Sequence, residues 1–454
     1  MPTIWARQAL LPTGWARDVA VEVDETGHIT CVTPDTAASG HRTGILLPAP
    51  ANAHSHAFQR AMAGLTEGRG PDPRDSFWTW RRLMYRFLDL LSPEQVQAIT
   101  ALVQMEMLEA GYATNVEFHY LHHQPGGVPY DDLSEMSQRI TAAALQTGIG
   151  LTLLPVQYQY GGCDQRDLTE GQIRFGNDPA QFAKLMQGAG SALASLPADA
   201  RLGMAPHSLR AVAPGDIANA PNLAADGPIH MHLAEQVAEV DEIKAAYGQR
   251  PVEWLLDNAD VTNQWCLIHC TQMEAHETIA LAATGAVAGL CPITESSLGD
   301  GIFDGVRWLD AQGKLAVGSD SNIRISLSEE LRTLDYSQRL RDRSRAALAT
   351  AEHTTGRRLF NAACAGGAQA AGRKSGHIAE GYLADLMALD DSHFDLTGQS
   401  RDKLLDCWIF AGDDRMVRDV WSAGRHLVKE GRHHARDTIT AAYTKAMQPL
   451  RDAL

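Results

Sequence analysis

The chain lacks the paired cysteines that a disulfide framework or a zinc ribbon would need. Its seven cysteines (Cys31, Cys163, Cys266, Cys270, Cys291, Cys364 and Cys407) are scattered, and no two form a C-x-x-C pair. It also lacks an excess of positive charge. With 39 Lys and Arg against 55 Asp and Glu, the formal net charge is −16. That excludes the broad basic face of a nucleic-acid or anionic-membrane binder, and leaves the local charge of a pocket open. No apolar run reaches the roughly 18 residues of a membrane span. The start, MPTIWARQALLPTGW, has no basic stretch leading into an apolar one, so no secretion signal is expected and a cytoplasmic protein is. Low-complexity tracts and fixed-period repeats are missing too. What remains is an ordinary globular composition, 44% hydrophobic and 21% charged over 454 residues, enough for one large domain with a smaller companion.

Short apolar runs followed by longer helical patterns recur along the chain. The runs are Ile45–Pro50, Ala113–Phe118, Gly150–Val156, Arg201–Ala205, Pro228–Leu233, Trp265–His269, Ala286–Leu290 and Lys314–Gly318. Each has the length and flanks of a strand buried on both faces. Helical periodicity fills Pro93–Glu109, Gln236–Leu256, Glu274–Thr284 and Leu327–Leu340. An open doubly wound sheet would read similarly, but eightfold alternation favours an α/β fold of the (β/α)₈ barrel type, over residues 48–375. The ends differ. Residues 1–47 carry strand-like pieces at Ile4–Ala6, Val19–Val23 and Ile29–Val32, and residues 376–435 carry others at Leu383–Leu389, Cys407–Phe410 and Val417–Ser422. Neither end could bury a β face alone, so the two are expected to form one small β-sandwich beside the barrel. Residues 436–454 read as an exposed amphipathic helix.

Residues suited to metal chemistry fall at the ends of these runs. His54-Ser55-His56 follows the first, and side chains two apart in a strand share a side, so both imidazoles can reach one ion. The fifth run ends in His230-Met231-His232-Leu233-Ala234-Glu235, the sixth in His269 and the eighth in Gly318-Ser319-Asp320. These are C-terminal strand ends, where barrel enzymes place their active sites. A nitrogen and oxygen donor set of this kind suits one divalent ion, zinc by preference, with iron and manganese left open. His230 reads as a packed residue one step deeper than His232. His119, His122, His123, His433 and His434 read as solvated, and Cys291–Ser296 as a stretch of pocket wall.

Histidines in an H-x-H pair after strand one, single histidines after strands five and six and an aspartate after strand eight resemble the amidohydrolase superfamily over essentially the whole chain. No lysine stands at the fourth strand end, where Ala205-Pro206-His207-Ser208 is found, and within that superfamily this implies a single metal. His232-Leu233-Ala234-Glu235 is similar to the H-x-x-E of its deaminases. The resemblance implies His54, His56, His232 and Asp320 as metal ligands. Asp320 would also accept a proton from water, and Glu235 would pass one to the departing nitrogen. His269 would either touch the metal or steer the attacking hydroxide, the second being preferred.

The mouth of the barrel also collects groups suited to an anionic substrate. Asn52–Arg60 carries Gln59, Phe77–Arg82 carries Arg81 and Arg82, Glu117–Tyr120 carries Tyr120, and Ala205–Arg210 carries His207 and Arg210. Guanidinium groups bind carboxylates in bidentate fashion, so a small substrate bearing one or two carboxylates is expected, and a dicarboxylate by the resemblance that follows. Within the superfamily these stretches are most similar to the branch acting on N-formimino-L-glutamate, an intermediate of histidine degradation. By that resemblance Gln59, Arg81, Tyr120, His207 and Arg210 would hold the glutamate part, and a homodimer is implied. The alternative within the superfamily is an aminohydrolase of a purine, pyrimidine or related ring, whose pocket would favour aromatic stacking over paired arginines. A non-enzymatic scaffold is disfavoured by the intact ligand set.

Overall fold

Apolar runs too short to be helices, each flanked by Gly, Pro or polar residues, become inner strands. The computed structural model describes residues 2–68, 77–169 and 171–452, with the side chains of 77–82 outside that description. The eight barrel strands are Ala51–Ser55, Thr114–His119, Gly150–Gln157, the short pieces Arg201–Leu202 and Ala205–Pro206, then Ile229–Leu233, Trp265–His269, Val287–Leu290 and Lys314–Val317. Strands one to four pair in parallel in chain order, as do strands five to eight. Two single parallel bridges, Met204 to Ile229 and Ser55 to Asp320, join these halves at both seams. Every residue of strands one, two, three, five and six is buried, as a sheet covered on its outer face by helices requires.

The covering helices carry their own start signals. In Pro93–Glu109 the Ser92 hydroxyl accepts from the Gln95 amide while Gln95 Oε1 accepts from the Ser92 amide, a reciprocal cap with Pro at the first position. The expected helix 236–256 is two, Val237–Tyr247 and Pro251–Asn258, because Gly248 takes φ of 77° and ends the first. The last helix, Arg436–Asp452, is less exposed than its pattern suggested. It buries Ile439, Met447 and Leu450, and Ile439 packs with Ala101, Leu102 and Met105 of Pro93–Glu109.

The chain ends meet in one continuous eight-stranded sheet, where two layers of a sandwich were expected. Its central strand, His41–Pro48, runs parallel to Thr3–Leu11 and antiparallel to Leu386–Leu389, which joins the N-terminal strands to the C-terminal ones. Ile4, Val19 and Ile29 from one end share an apolar cluster with Leu386 and Trp421 from the other. Two further sequence expectations are corrected here. Ile45–Pro48 belongs to this sheet, and barrel strand one begins at Ala51. An apolar run does not reveal which sheet it joins, and prolines at 48 and 50 divide the stretch because they cannot donate to a ladder. Cys407–Phe410 is the end of a helix, Asp402–Phe410, whose buried Leu404, Leu405, Trp408 and Ile409 fall at helical spacing.

A buried ionic cluster fastens sheet to barrel. Arg373 donates to Asp199 at 2.9 Å and to both oxygens of Asp385 at 3.0 and 3.1 Å. Arg425 adds two 2.8 Å bonds to Asp199. Burial would raise the Asp199 carboxyl, but the Arg425 and Arg373 guanidiniums outweigh it and hold its pKa below the ordinary value. Removing one partner leaves uncompensated buried charge, so Arg373→Met should lower unfolding stability by about 3–5 kcal/mol in urea titrations. Because the folded pKa is depressed, the Asp199 contribution is complete above the unfolded carboxyl pKa of about 3.9 and is lost as pH falls through the folded value. Stability of the native chain should therefore fall below about pH 4 more steeply than that of Asp199→Asn.

Candidate active site

At the C-terminal ends of the barrel strands five side chains share one centre. His54 Nε2 lies 3.1 Å from His232 Nε2 and 3.5 Å from Asp320 Oδ1. His56 Nε2 lies 3.3 Å from the same oxygen, and His269 Nε2 stands 3.9 Å from Asp320 Oδ2. Donor atoms of His54, His56 and His232 fall within 4.8 Å of one another, and so do those of His54, His269 and Asp320. Two nitrogens at about 2.0–2.1 Å from one tetrahedral ion stand about 3.3 Å apart, close to what is found here. The outer ring nitrogens are held in a matching way. His56 Nδ1 donates to the Phe118 carbonyl at 2.8 Å and His232 Nδ1 to the His207 carbonyl at 3.1 Å, which leaves each Nε2 with its lone pair turned inward.

Electrostatics agree with the geometry. Burial pushes His54 down to about 3, lowers His56, and takes His232 well below its ordinary value, with His207 and His54 adding to the last. All three are therefore neutral, the form that binds a cation without first losing a proton. Burial opposes the charge of Asp320, but the His54 hydrogen bond and the His56 ring overcome it and keep the carboxylate ionised. His269 is the exception. Burial would lower it, yet Glu235, Glu295 and Asp320 raise it to about 10, so it carries a proton. Its Nδ1 is anchored at 3.3 Å by Glu295 Oε1, and its Nε2 faces Glu235 Oε1 at 3.8 Å. Burial raises the Glu235 carboxyl in turn, against the pull of the His269 charge.

The chain turns sharply as soon as these strands end. Ala234, His269 and Asp320 have φ of 51°, 71° and 47°, left-handed values that non-glycine residues seldom adopt. What holds Asp320 there is the seam with strand one. The Asp320 amide donates to the His54 carbonyl and the His56 amide to the Asp320 carbonyl, both at 2.9 Å. Beside them runs a buried polar chain. Asn52 and Ser319 exchange bonds of 2.7 and 3.1 Å, Ser319 Oγ donates to Asn322 at 2.6 Å, and Asn322 Nδ2 donates to Ser55 Oγ at 3.1 Å. A Cβ at Gly318 would lie 2.5 Å from the His54 nitrogen, so only glycine lets the strands approach this closely. Asn322→Ala should therefore weaken divalent-ion binding about 10- to 100-fold, as loss of a supporting hydrogen bond does, measured by competition with a chromophoric chelator.

The remaining expected residues are placed as follows. Gln59, Tyr120, His207 and Arg210 line a cavity of about 110 Å³ above the cluster. Gln59 Nε2 donates to the Tyr120 hydroxyl at 2.7 Å, and the Tyr120 ring meets His56 edge-on at 4.8 Å. Arg210 Nε is buried with no hydrogen-bond partner among the described residues. Burial would lower its pKa, but the Glu239 and Glu235 carboxylates raise it, so the guanidinium stays charged. Arg81 lies on the helix Phe77–Leu88, and its side chain and that of Arg82 fall outside the described residues. His230 is buried and donates to the Ala370 carbonyl at 2.8 Å, away from the cluster.

Several expectations are corrected. His119, His122, His123 and His433 are buried, not solvated, and each has a hydrogen-bond partner: Ser137 Oγ, Val156 O, Gly176 O and Thr147 O. Their strand-end and loop positions gave no hint of the elements that fold over them. Sequence reasoning missed the role of Glu295, which lies in the expected wall segment but orients His269. It also missed Tyr158, which lines the cavity directly after strand three and packs against His207 at 4.6 Å. The strand-end rule, applied to strands three and seven, would have pointed to both.

A closed parallel barrel with neutral imidazoles and an ionised carboxylate converging at its C-terminal mouth defines a metal-dependent hydrolase. The chain belongs to the amidohydrolase family, whose model matches residues 45–427. A second model, described as the N-terminal domain of formimidoylglutamate deiminase HutF, matches residues 1–42. The chain is 47% identical over 458 residues to formimidoylglutamate deiminase of Pseudomonas aeruginosa, covering 100% of both. The crystal structure of an amidohydrolase from Brucella melitensis matches with a TM-score of 0.95 at 46% identity, covering 99% of this chain and 100% of that one. An adenosine deaminase from Xanthomonas campestris with bound zinc shares the fold, with a TM-score of 0.82 at 22% identity over 99% of this chain and 98% of its own. No helix among the described residues is long and apolar enough to cross a membrane.

Proposed function

We propose that the protein hydrolyses the formimino group of N-formimino-L-glutamate, giving N-formyl-L-glutamate and ammonia in histidine degradation. The observation that carries this reading is the end-to-end match, at 47% identity, to a deiminase of that substrate. The site supplies what such a reaction needs. His54, His56, His232 and Asp320 would hold one divalent ion, zinc in our reading, since three neutral nitrogens and a carboxylate suit it. Its chemistry there would be that of a Lewis acid, which makes water more acidic and an amidine more electrophilic.

The protein's own groups do the rest. Asp320 accepts the proton that water loses on attacking the amidine carbon. Protonated His269, fixed by Glu295, donates to the incoming oxygen. Glu235, beside His269 at the cavity floor, passes protons to the imino nitrogen. The carbon–nitrogen bond to that nitrogen breaks and a carbonyl forms, and both water protons leave with the nitrogen as ammonia. Arg210 pairs with a substrate carboxylate, using the guanidinium hydrogen that has no partner among the described residues. Gln59, Tyr120, His207 and Arg81 complete the grip on the glutamate part, and binding it converts remote contacts into orientation of the amidine. A cytoplasmic homodimer fits the same reading.

Three measurements test it. Purified enzyme should release ammonia from formiminoglutamate and not from guanine, adenosine or cytosine, and the reverse result would overturn the substrate. Glu235→Gln should keep its metal while kcat falls about 10²- to 10⁴-fold; a smaller loss would remove Glu235 as the proton carrier. Arg210→Ala should act mainly by raising KM, because a carboxylate is held alike in ground and transition states. An unchanged kcat/KM would take Arg210 out of the pocket.

A further inference from the structure

Far from the barrel mouth, the terminal sheet carries a second cluster of metal-ligating side chains. His41 opens the central strand His41–Pro48, Asp419 lies in Val417–Ser422, and His426 lies in Arg425–Lys429. Their donor atoms fall within 4.8 Å of one another. His426 Nε2 is 2.8 Å from Asp419 Oδ1, and His41 Nε2 is 3.7 Å from Asp419 Oδ2. The two imidazole rings stand 4.7 Å apart at 75°, facing the carboxylate from two directions. Trp421 braces both, stacked on His426 at 4.4 Å and edge-on to His41 at 5.4 Å.

The carboxylate is the anomaly. The Asp419 side chain is only 3% exposed on a sheet carrying Trp421, and its Oδ2 has no hydrogen-bond partner among the described residues. A buried anionic oxygen without a partner is costly. Arg418 Nε approaches it at 3.5 Å but is 39% exposed and makes no hydrogen bond to it. An imidazole nitrogen 3.7 Å from a carboxylate oxygen is too far for a hydrogen bond and well spaced to share an ion, since donors at about 2.0–2.2 Å from one ion lie between about 3 and 4 Å apart.

We propose that His41, Asp419 and His426 form a second divalent-metal site, independent of the barrel centre. Two imidazoles and one carboxylate select a borderline transition ion, zinc first, over calcium or magnesium, which take oxygen ligands. His41 is 39% exposed, so solvent completes the outer side of the ion. The ligands come from opposite ends of the chain, and the ion staples the strand that enters the barrel to the strands that follow it. Its role is structural, as binding energy at such a site is folding energy.

The enzyme with its barrel metal in place is dialysed at about 10 µM free zinc, which resolves any Kd tighter than that, and metal per chain is read by atomic emission. The native chain should hold about two ions, and His41→Ala with His426→Ala about one, with ammonia release unchanged. Nickel should quench part of the tryptophan emission of the native chain through Trp421, and His426→Ala should lose that component. If the double variant folds poorly, His41→Ala alone, at a half-exposed position, should weaken the second ion at least about tenfold. One ion in the native chain, or a second that survives the substitutions, overturns the site. Neither outcome depends on which substrate the barrel turns over.

Discussion

The chemistry of this protein depends on one seam, where the first barrel strand meets the eighth. His54 and His56 come from one side of it and Asp320 from the other, and two 2.9 Å backbone hydrogen bonds set their separation. A slip of one residue would reverse the faces of the side chains and scatter the donors. The seam is short of regular ladder, with a single bridge at Ser55 and Asp320, so polar side chains take over the work of registration. Asn52, Ser319, Asn322 and Ser55 are all buried and bonded to one another, and such a network specifies geometry only because each member is satisfied. Glu117 supports the other side. Its carboxylate accepts from the Ala57 amide at 2.7 Å and from Asn115 at 3.0 Å, which fixes the chain just past His56.

The proton chemistry follows from unequal surroundings of similar groups. Four histidines lie within a few ångströms, yet His54, His56 and His232 are driven neutral by burial while His269 is raised to about 10. The difference lies in Glu295 and Glu235, which flank His269 on both nitrogens. Asp320 and Glu235 part in the same way. One carboxylate faces imidazoles and stays ionised, and the other is lifted by its dry surroundings toward the range where it can give and take a proton. One small volume thus holds neutral imidazoles, a charged one and two carboxylates of opposite tendency.

Much of this was legible in sequence because strand ends leave a trace. An apolar run that stops at His-Ser-His, at His-x-x-Glu, at His269 or at Gly-Ser-Asp places its last side chains at one mouth of a parallel barrel, whatever the loops do. The terminal sheet was legible as a need, since strands at 1–47 and after 376 had no other partner. Where reading failed, the missing information was tertiary. Ile45–Pro48 is apolar while Ala51–Ser55 carries Asn52, His54 and Ser55, so the run alone pointed to the wrong segment, and only the fold decides that one pairs with Leu386–Leu389 and the other with Thr114–His119. The burial of His119, His122 and His433 is likewise set by segments distant in the chain. Glu295 sits in a helix begun by Pro292, and its reach to His269 depends on where that helix docks.

The two ends of the barrel divide function from stability. At the C-terminal ends the backbone is strained at Ala234, His269 and Asp320, each non-glycine position at positive φ costing on the order of 1–3 kcal/mol. At the N-terminal ends lie the devices that offset it. Thr114, opening strand two, donates to Asp385, and Gly150, opening strand three, donates to Ser422 at 2.9 Å. Asp199, just before strand four, is bound by Arg373 and Arg425. All of these tie strand starts to the terminal sheet and none comes near the metal centre. A barrel fastened this firmly at its base can hold an unfavourable backbone at its mouth, because local relaxation there would have to break the seam and not merely shift a loop. The terminal sheet therefore serves catalysis without touching substrate: it is the anchor against which the strained strand ends are held.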